Sequence, residues 1–281
     1  MATSPRKATA RMNDTRTEIV APRPAATVVI LRDGAKGLEV FMVVRHQEID
    51  FASGALVFPG GKVDAQDSHA GWAELAPYSA TAPERAFVVA AVRETFEEAG
   101  LVLARRRGGQ ALLDAEETHR LVETYRARLL GGETTFVEIV RREQLSLATD
   151  LMVPFAHWIT PERVGKRFDT HFLLVAAPVE QLGAHDGGES VEGFWIAPRQ
   201  ALADAEAGAR TLVLPTQMNL LKLCAYASVA EAVAATRAHR IVTVTPRIER
   251  VEGGRMLHIP AEAGYGVTEV LVPAAVRGRG Q

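Results

Sequence analysis

The stretch that decides the fold is Arg93-Glu94-Thr95-Phe96-Glu97-Glu98-Ala99-Gly100-Leu101, preceded in the chain by Phe58-Pro59-Gly60-Gly61. At about 100° per residue, Glu94, Glu97 and Glu98 at i, i+3 and i+4 share one helix face. Thr81-Ala82-Pro83-Glu84 has the capping-box spacing and Gly100 stands just past the end, so a helix is expected from about Glu84 to Ala99. Val88, Val92, Thr95, Phe96 and Ala99 fall on the opposite side and are expected to face a core, while Ala90 leaves room beside the carboxylates for a ligand. Three like charges at this spacing repel one another. Two arrangements tolerate them: a solvated face paired with arginines, or cations between the carboxylates. Hard oxygen ligands of this kind suit Mg²⁺ or Mn²⁺ bound together with phosphates.

Working outward, Ala26–Arg32 and Leu38–Arg45 are β-branched runs separated by Asp33-Gly34, the pattern of a hairpin. Ala55–Phe58 is a third short apolar piece, ended by Pro59 and the two glycines. Downstream, a strand is expected at Leu101–Ala104, a solvated turn at Arg105–Arg107, and helices near Ala115–Leu130 and Phe136–Glu143. Strands at Phe168–Ala177 and Glu192–Ile196 lead to a helix at Pro198–Ala207 and two more within Thr216–His239. Val242–Thr245 and Met256–Ile259 alternate as a closing hairpin does, before a frayed tail. Strands at both ends of a helix-rich middle indicate an α/β sandwich without the regular alternation of a doubly wound sheet. The domain reading is a leader over residues 1–20, a core domain over 21–240 with helices appended at about 214–239, and a hairpin and tail over 241–281.

Of the 281 residues, 47% are hydrophobic and 23% charged, the composition of an ordinary globular protein. A formal charge of −2 argues against a nucleic-acid or membrane-surface binder, which needs a basic field. An anionic small molecule would therefore have to be met locally. The single cysteine, Cys224, excludes an internal disulfide and suits a reducing, cytoplasmic compartment. No run of 18 or more apolar residues suggests a membrane span. The first 20 residues are read as a disordered leader, the alternative being an organellar transit peptide.

Phe58-Pro59-Gly60-Gly61 followed by Arg93-Glu94-Thr95-Phe96-Glu97-Glu98-Ala99-Gly100-Leu101 resembles the signature of the Nudix hydrolase superfamily. The arginine lies about 18 residues further from the last glycine than the signature has it, so an insertion spans about Lys62 to Ala82. This segment is expected to form a structured flap beside the carboxylates. Asp67 keeps the forward spacing of the signature's first glutamate, Glu84 lies one place off its backward spacing, and Arg85 occupies the place itself, so the supporting acid is left open between the first two. The resemblance implies an α/β/α sandwich with a mixed sheet, and Mg²⁺ or Mn²⁺ held by Glu94, Glu97 and Glu98 with the Gly61 carbonyl. It implies catalysis through Arg93, Glu94 and Glu98, with Arg93 orienting Glu94. The general base is open among Glu94, Glu98, Glu189 and Glu192.

Trp158-Ile159-Thr160-Pro161-Glu162, Phe168-Asp169-Thr170-His171-Phe172, Glu192-Gly193-Phe194-Trp195 and Leu214-Pro215-Thr216, with the insertion, resemble the coenzyme A diphosphatase-like branch. That implies hydrolysis of a nucleoside diphosphate linked to another moiety, coenzyme A or acyl-coenzyme A leading. ADP-ribose, a dinucleotide, or a catalytically silent ligand sensor are the alternatives. Gly54 keeps its spacing to the glycine turn, but His46 and Asp50 stand where the coenzyme A signature has a small residue and an arginine. Arg45, Gly60, Lys62 and Arg167 are the expected substrate contacts. The partner is a small molecule, and the oligomeric state is open, a homodimer included.

Overall fold

The run from Ala26 to Arg32 is apolar at consecutive positions because both faces of its strand are covered. Ala26, Val28 and Ile30 enter one core and Val29 and Leu31 the other, all of them buried. The computed structural model describes residues 20–44, 55–77, 83–162, 164–178, 181 and 193–273. Its strands are β1 (Arg23–Gly34), β2 (Gly37–Val44), β3 (Ala55–Val57), β4 (Gly60–Lys62), β5 (Ala104–Arg106), β6 (Leu145–Leu147), β7 (Val153–Ile159), β8 (Phe168–Ala176), β9 (Gly193–Ile196), β10 (Thr211–Leu212), β11 (Thr243–Val244), β12 (Arg247–Val251), β13 (Gly254–His258) and β14 (Glu269–Pro273). Its α-helices are α1 (Trp72–Leu75), α2 (Arg85–Ala99), α3 (Ala115–Leu121), α4 (Ala127–Leu130), α5 (Phe136–Arg142), α6 (Pro198–Glu206), α7 (Leu214–Leu223) and α8 (Val229–Ala238).

Among the described residues the main sheet has nine strands in the order β10-β3-β2-β1-β8-β7-β11, with β4 paired to β1 and β9 to β2. The β1–β8 pair is parallel and β1–β2 antiparallel, so the sheet is mixed. One core packs α2, α1 and α5 on one face; the other packs α7, α8 and the chain after β11 on the opposite face. The layering is the α/β/α sandwich expected from the sequence. Ile259, Ala263 and Tyr265 are buried in the second core, where Trp158 Nε1 donates to Tyr265 Oη (2.8 Å) and Tyr265 Oη donates to Asn219 Oδ1 (3.0 Å). The C-terminal segment is thus pinned to the domain.

Several expectations are corrected. Glu84, not Thr81, is the N-cap of α2, and its side chain makes no capping bond; Thr81 lies outside the described residues. Gly100 does close the helix, at φ 63°, with its N–H donating to Phe96 and Thr95 carbonyls. Arg105 and Arg106 belong to β5, paired to Leu145–Ser146, and ion-paired to Asp150 and Glu117 respectively. The closing hairpin becomes two things: β11 adds parallel to β7, and β12-β13-β14 form a separate antiparallel meander. Strands β6 and β7 were not foreseen. The helix expected over Ala115–Leu130 is α3 and α4 joined by a π turn at Val122–Arg126.

Candidate active site

Helix α2 lies across the sheet at β4 and β1, and its burial extends almost all round: Val88 through Phe96 are all buried. Ala90 is fully buried, so it fits the helix close to the sheet instead of opening space for a ligand. Arg93 is the hub. Its guanidinium, 2% exposed, donates from Nε and Nη2 to the two oxygens of Asp67 (3.0 and 2.9 Å), from Nη1 to Glu94 (2.8 Å) and Glu97 (3.2 Å), and from Nη2 to the Lys62 carbonyl (3.0 Å). Asp67 is 1% exposed and also accepts from the Asp64 backbone N–H at 2.8 Å. The bidentate pair makes Asp67 the supporting acid, whereas Glu84 is exposed at the helix cap. The segment before Asp67 therefore belongs to the carboxylate site, and the insertion proper begins after it.

Two of the carboxylates, Glu94 and Glu98, meet the glycine turn. Gly60 N–H donates to Glu98 at 2.9 Å, and a Cβ on Gly61 would collide with the Glu94 carboxylate. Gly60 adopts φ +156°, and there a Cβ would press on the Ala26 carbonyl and Thr27 backbone, so a side chain is excluded at Gly60, whereas at Gly61 one would displace the Glu94 carboxylate. Burial pushes the Glu94 carboxyl up to about 8; Arg93 opposes this, and Glu97 and Glu98 add to it. Burial likewise raises Glu97 against the pull of Arg93. For Arg93 itself burial disfavours the charge, but Asp67, Glu94 and Glu97 outweigh it and raise its pKa. Asp67, Glu94 and Glu97 thus share one guanidinium, which does not offset the cost of burying all their charges.

Glu94, Glu97, Glu98, Gly60 and Gly61 thus come together with Arg93, which is enclosed by carboxylates and acts on their orientation. Lys62 is exposed at the end of β4. Arg167 is not part of the cluster: it is buried at the foot of β8, where Nε donates to the Thr160 carbonyl (3.0 Å) and Nη1 to that of Val20 (2.7 Å), which makes it a pin for strand ends. Arg45, His46, Asp50, Gly54, Glu189 and Glu192 lie outside the described residues. Trp158 is a core residue of the second face, and Trp195 packs edge-on to Phe41 with Arg32 over its ring. Cys224 ends α7 as a free thiol whose pKa burial raises.

Sequence reasoning missed Arg126 and also His157, the cross-strand partner of the His171 that the branch resemblance includes. Arg126, the last residue of the π turn, donates to the Glu97 carbonyl at 2.6 Å, bringing a cation to the C-terminal end of α2. Its burial lowers its pKa, opposed by Glu97 and Glu98. His157 on β7 stacks on His171, and burial together with His157 pushes His171 down to about 4. The alternation of β7 and the Asp-x-His spacing of β8 were the available signals for the histidines; for Arg126 there was none, because a π turn has no local sequence mark.

The family model of the NUDT19 Nudix domain matches residues 78–223. The acyl-coenzyme A diphosphatase NUDT19 of Gallus gallus is 27% identical over 260 residues, covering 72% of this chain and 68% of that protein. A putative nudix hydrolase 7 of Caenorhabditis elegans is 29% identical over 203 residues, covering 72% of this chain but 60% of its own length. The chain thus spans about two thirds or less of the curated relatives it matches. Among solved structures, a NUDIX hydrolase from Alicyclobacillus acidocaldarius aligns with a TM-score of 0.60 at 26% identity, over 77% of this chain and 97% of that one. A match that runs through the whole of α2 and on into α7 leaves no doubt of kinship: the chain belongs to the NUDT19 Nudix domain family and is a Nudix hydrolase.

Proposed function

We propose that the protein is a divalent-metal-dependent pyrophosphohydrolase that cleaves a nucleoside diphosphate derivative, with coenzyme A or acyl-coenzyme A as the leading substrate. The observation that carries this reading is that Glu98 and Glu94 meet the Gly60-Gly61 turn while the buried Arg93 guanidinium joins Glu94 to Glu97. Fit to a cation is supported by the donor set, all hard oxygens, and by the crowding of the buried Asp67 and Glu94 and the partly buried Glu97 around one guanidinium. Glu94, Glu97 and Glu98 would hold Mg²⁺ or Mn²⁺ with the Gly61 carbonyl. A bound divalent cation supplies positive charge to the phosphate oxygens and lowers the pKa of water.

The chain's own groups do the rest. Arg93 fixes Glu94 and Glu97 through one rigid fork, so their oxygens converge without a reorganisation cost at the moment of reaction. Glu98, held by Gly60 N–H and half-exposed, is the acid best presented to take a proton from the attacking water. Lys62, beside the turn, is the described basic side chain proposed to meet the diphosphate. The coenzyme A reading is supported by the names of the relatives and by the branch resemblance. ADP-ribose and dinucleotides remain the second reading because Asp50 stands where a 3′-phosphate would want an arginine. Measuring kcat/KM on coenzyme A, dephospho-coenzyme A, ADP-ribose and NADH, with Mg²⁺, Mn²⁺ or chelator, tests both levels. Preference for the full coenzyme over its dephospho form supports the leading substrate. Absence of coenzyme A turnover beside active ADP-ribose hydrolysis overturns it, and metal-independent turnover overturns the mechanism.

A further inference from the structure

We infer that His157, Asp169 and His171 form a second metal site, separate from the Nudix carboxylates and suited to a borderline cation such as Zn²⁺. Asp169 and His171 stand at i and i+2 on β8 and so share a face; His157 on the neighbouring β7 is the direct cross-strand partner of His171. One ligating atom from each lies within 4.8 Å of the others. Two imidazoles and a carboxylate form a donor set softer than the oxygen-only cluster on α2, and three protein ligands leave one position of a tetrahedral ion open to water or to an anionic oxygen.

The surroundings support ligation. His157 Nδ1 lies 2.8 Å from Thr243 Oγ1 on β11, and Nε2 lies 2.5 Å from Asp169 Oδ1. A 2.5 Å contact places the Nε2 proton between His157 and Asp169, with Nδ1 accepting from the Thr243 hydroxyl. A cation taking the place of that proton would leave Nδ1–H to donate to Thr243 Oγ1, the outer hydrogen bond that orients a ligating histidine. The two imidazoles are stacked, 3.9 Å between centroids and 10° between planes. Because an imidazole lone pair lies in its ring plane, His171 must turn out of this stack, and away from the Phe87 edge 4.5 Å from it, when the ion binds. The site is not an extension of the carboxylate cluster. Gly61 pairs with Ala26, and Ala26 with His171, so two strand spacings, about 10 Å, separate the glycine turn from the triad on the same sheet face.

The test is calorimetric titration of the chelator-treated full chain with Zn²⁺ alone, and with Co²⁺ monitored through its visible absorption. The proteins are the wild type, His171→Gln, Asp169→Asn and the double variant Glu94→Gln/Glu98→Gln, each checked for a native unfolding transition. The expected result is one zinc equivalent on the wild type and on the carboxylate double variant, and affinity lower by about tenfold or more in each triad variant. An intense low-coordinate Co²⁺ spectrum that His171→Gln abolishes agrees with the site. Undiminished zinc binding in both triad variants, loss only in the carboxylate variant, or no zinc uptake by the wild type overturns it. Either outcome leaves the hydrolase reading to be judged by its own turnover assay.

Discussion

Replacing Asp67 by Ala removes the two hydrogen bonds that the Arg93 guanidinium donates at 3.0 and 2.9 Å and leaves a 2%-exposed cation without its bidentate partner. Breaking a buried pair from one side costs about 3–5 kcal/mol. Arg93 keeps Glu94, Glu97 and the Lys62 carbonyl, which holds the cost within that range. Domain stability is about 5–15 kcal/mol, so the loss is a large share of it. With a urea m-value of about 3 kcal/mol/M, the unfolding midpoint should fall by about 1 M or more at unchanged slope. Asp67→Asn should lose less, because the amide oxygen still accepts one bond while its NH₂ opposes a guanidinium N–H. Glu84→Ala, at an exposed cap with no side-chain capping bond, should stay within about 0.5 kcal/mol of wild type. An Asp67→Ala protein within about 1 kcal/mol of wild type would refute the assignment of Asp67 as the partner of Arg93. So would a Glu84→Ala protein that is equally destabilised.

Three further outcomes are expected. Glu98→Gln should lower kcat by about a hundredfold or more with an unchanged unfolding midpoint, since it removes charge at the proposed site and no core contact; near-wild-type turnover at saturating Mg²⁺ would contradict its role. Trp72→Ala should cost about 3–5 kcal/mol in chemical denaturation, because the indole is buried against Phe136 and its Nε1 donates to the Gln66 carbonyl at 2.8 Å; a mild effect would mean that the inserted segment is not part of the core. Trp158→Phe should destabilise by about 1–2 kcal/mol by stripping the donor from Tyr265 Oη, and hydrogen exchange should show faster opening at Ile259 and Ala263; exchange unchanged at those amides would remove the pin from the account.

The local features of the site were legible because they are written in consecutive residues. The three glutamates at helical spacing, the closing Gly100 and the glycine turn at Gly60-Gly61 needed no tertiary information. What resisted reading depends on partners distant in the chain. Strand β7 contains Pro154, which argues against a strand, and the ladder absorbs it with an irregularity between Pro154 and Ala156. The alternation over Val242–Thr245 signals a strand but not its partner, which is set by pairing with β7, 86 residues earlier for His157 and Thr243. Arg167 looked like a phosphate contact from its charge alone, and only the carbonyls of Thr160 and Val20 reveal it as a pin.

The inserted segment joins these two kinds of information. Arg93 reaches Lys62 and Asp67 through space across separations of 31 and 26 residues, so the chain length after Asp67 is free to vary as long as Asp67 keeps its spacing from Gly61. The insertion is tolerated at that point, and its residues Trp72 and Leu75 are then free to enter the core beside α5 and β6. An equally long insertion between Gly61 and Asp67 would instead pull the acid away from the guanidinium, strand a buried charge and release Glu94 from the fork that orients it. Signature spacing is therefore rigid on the glycine side of Asp67 and permissive on the helix side, which is where this chain departs from the usual length.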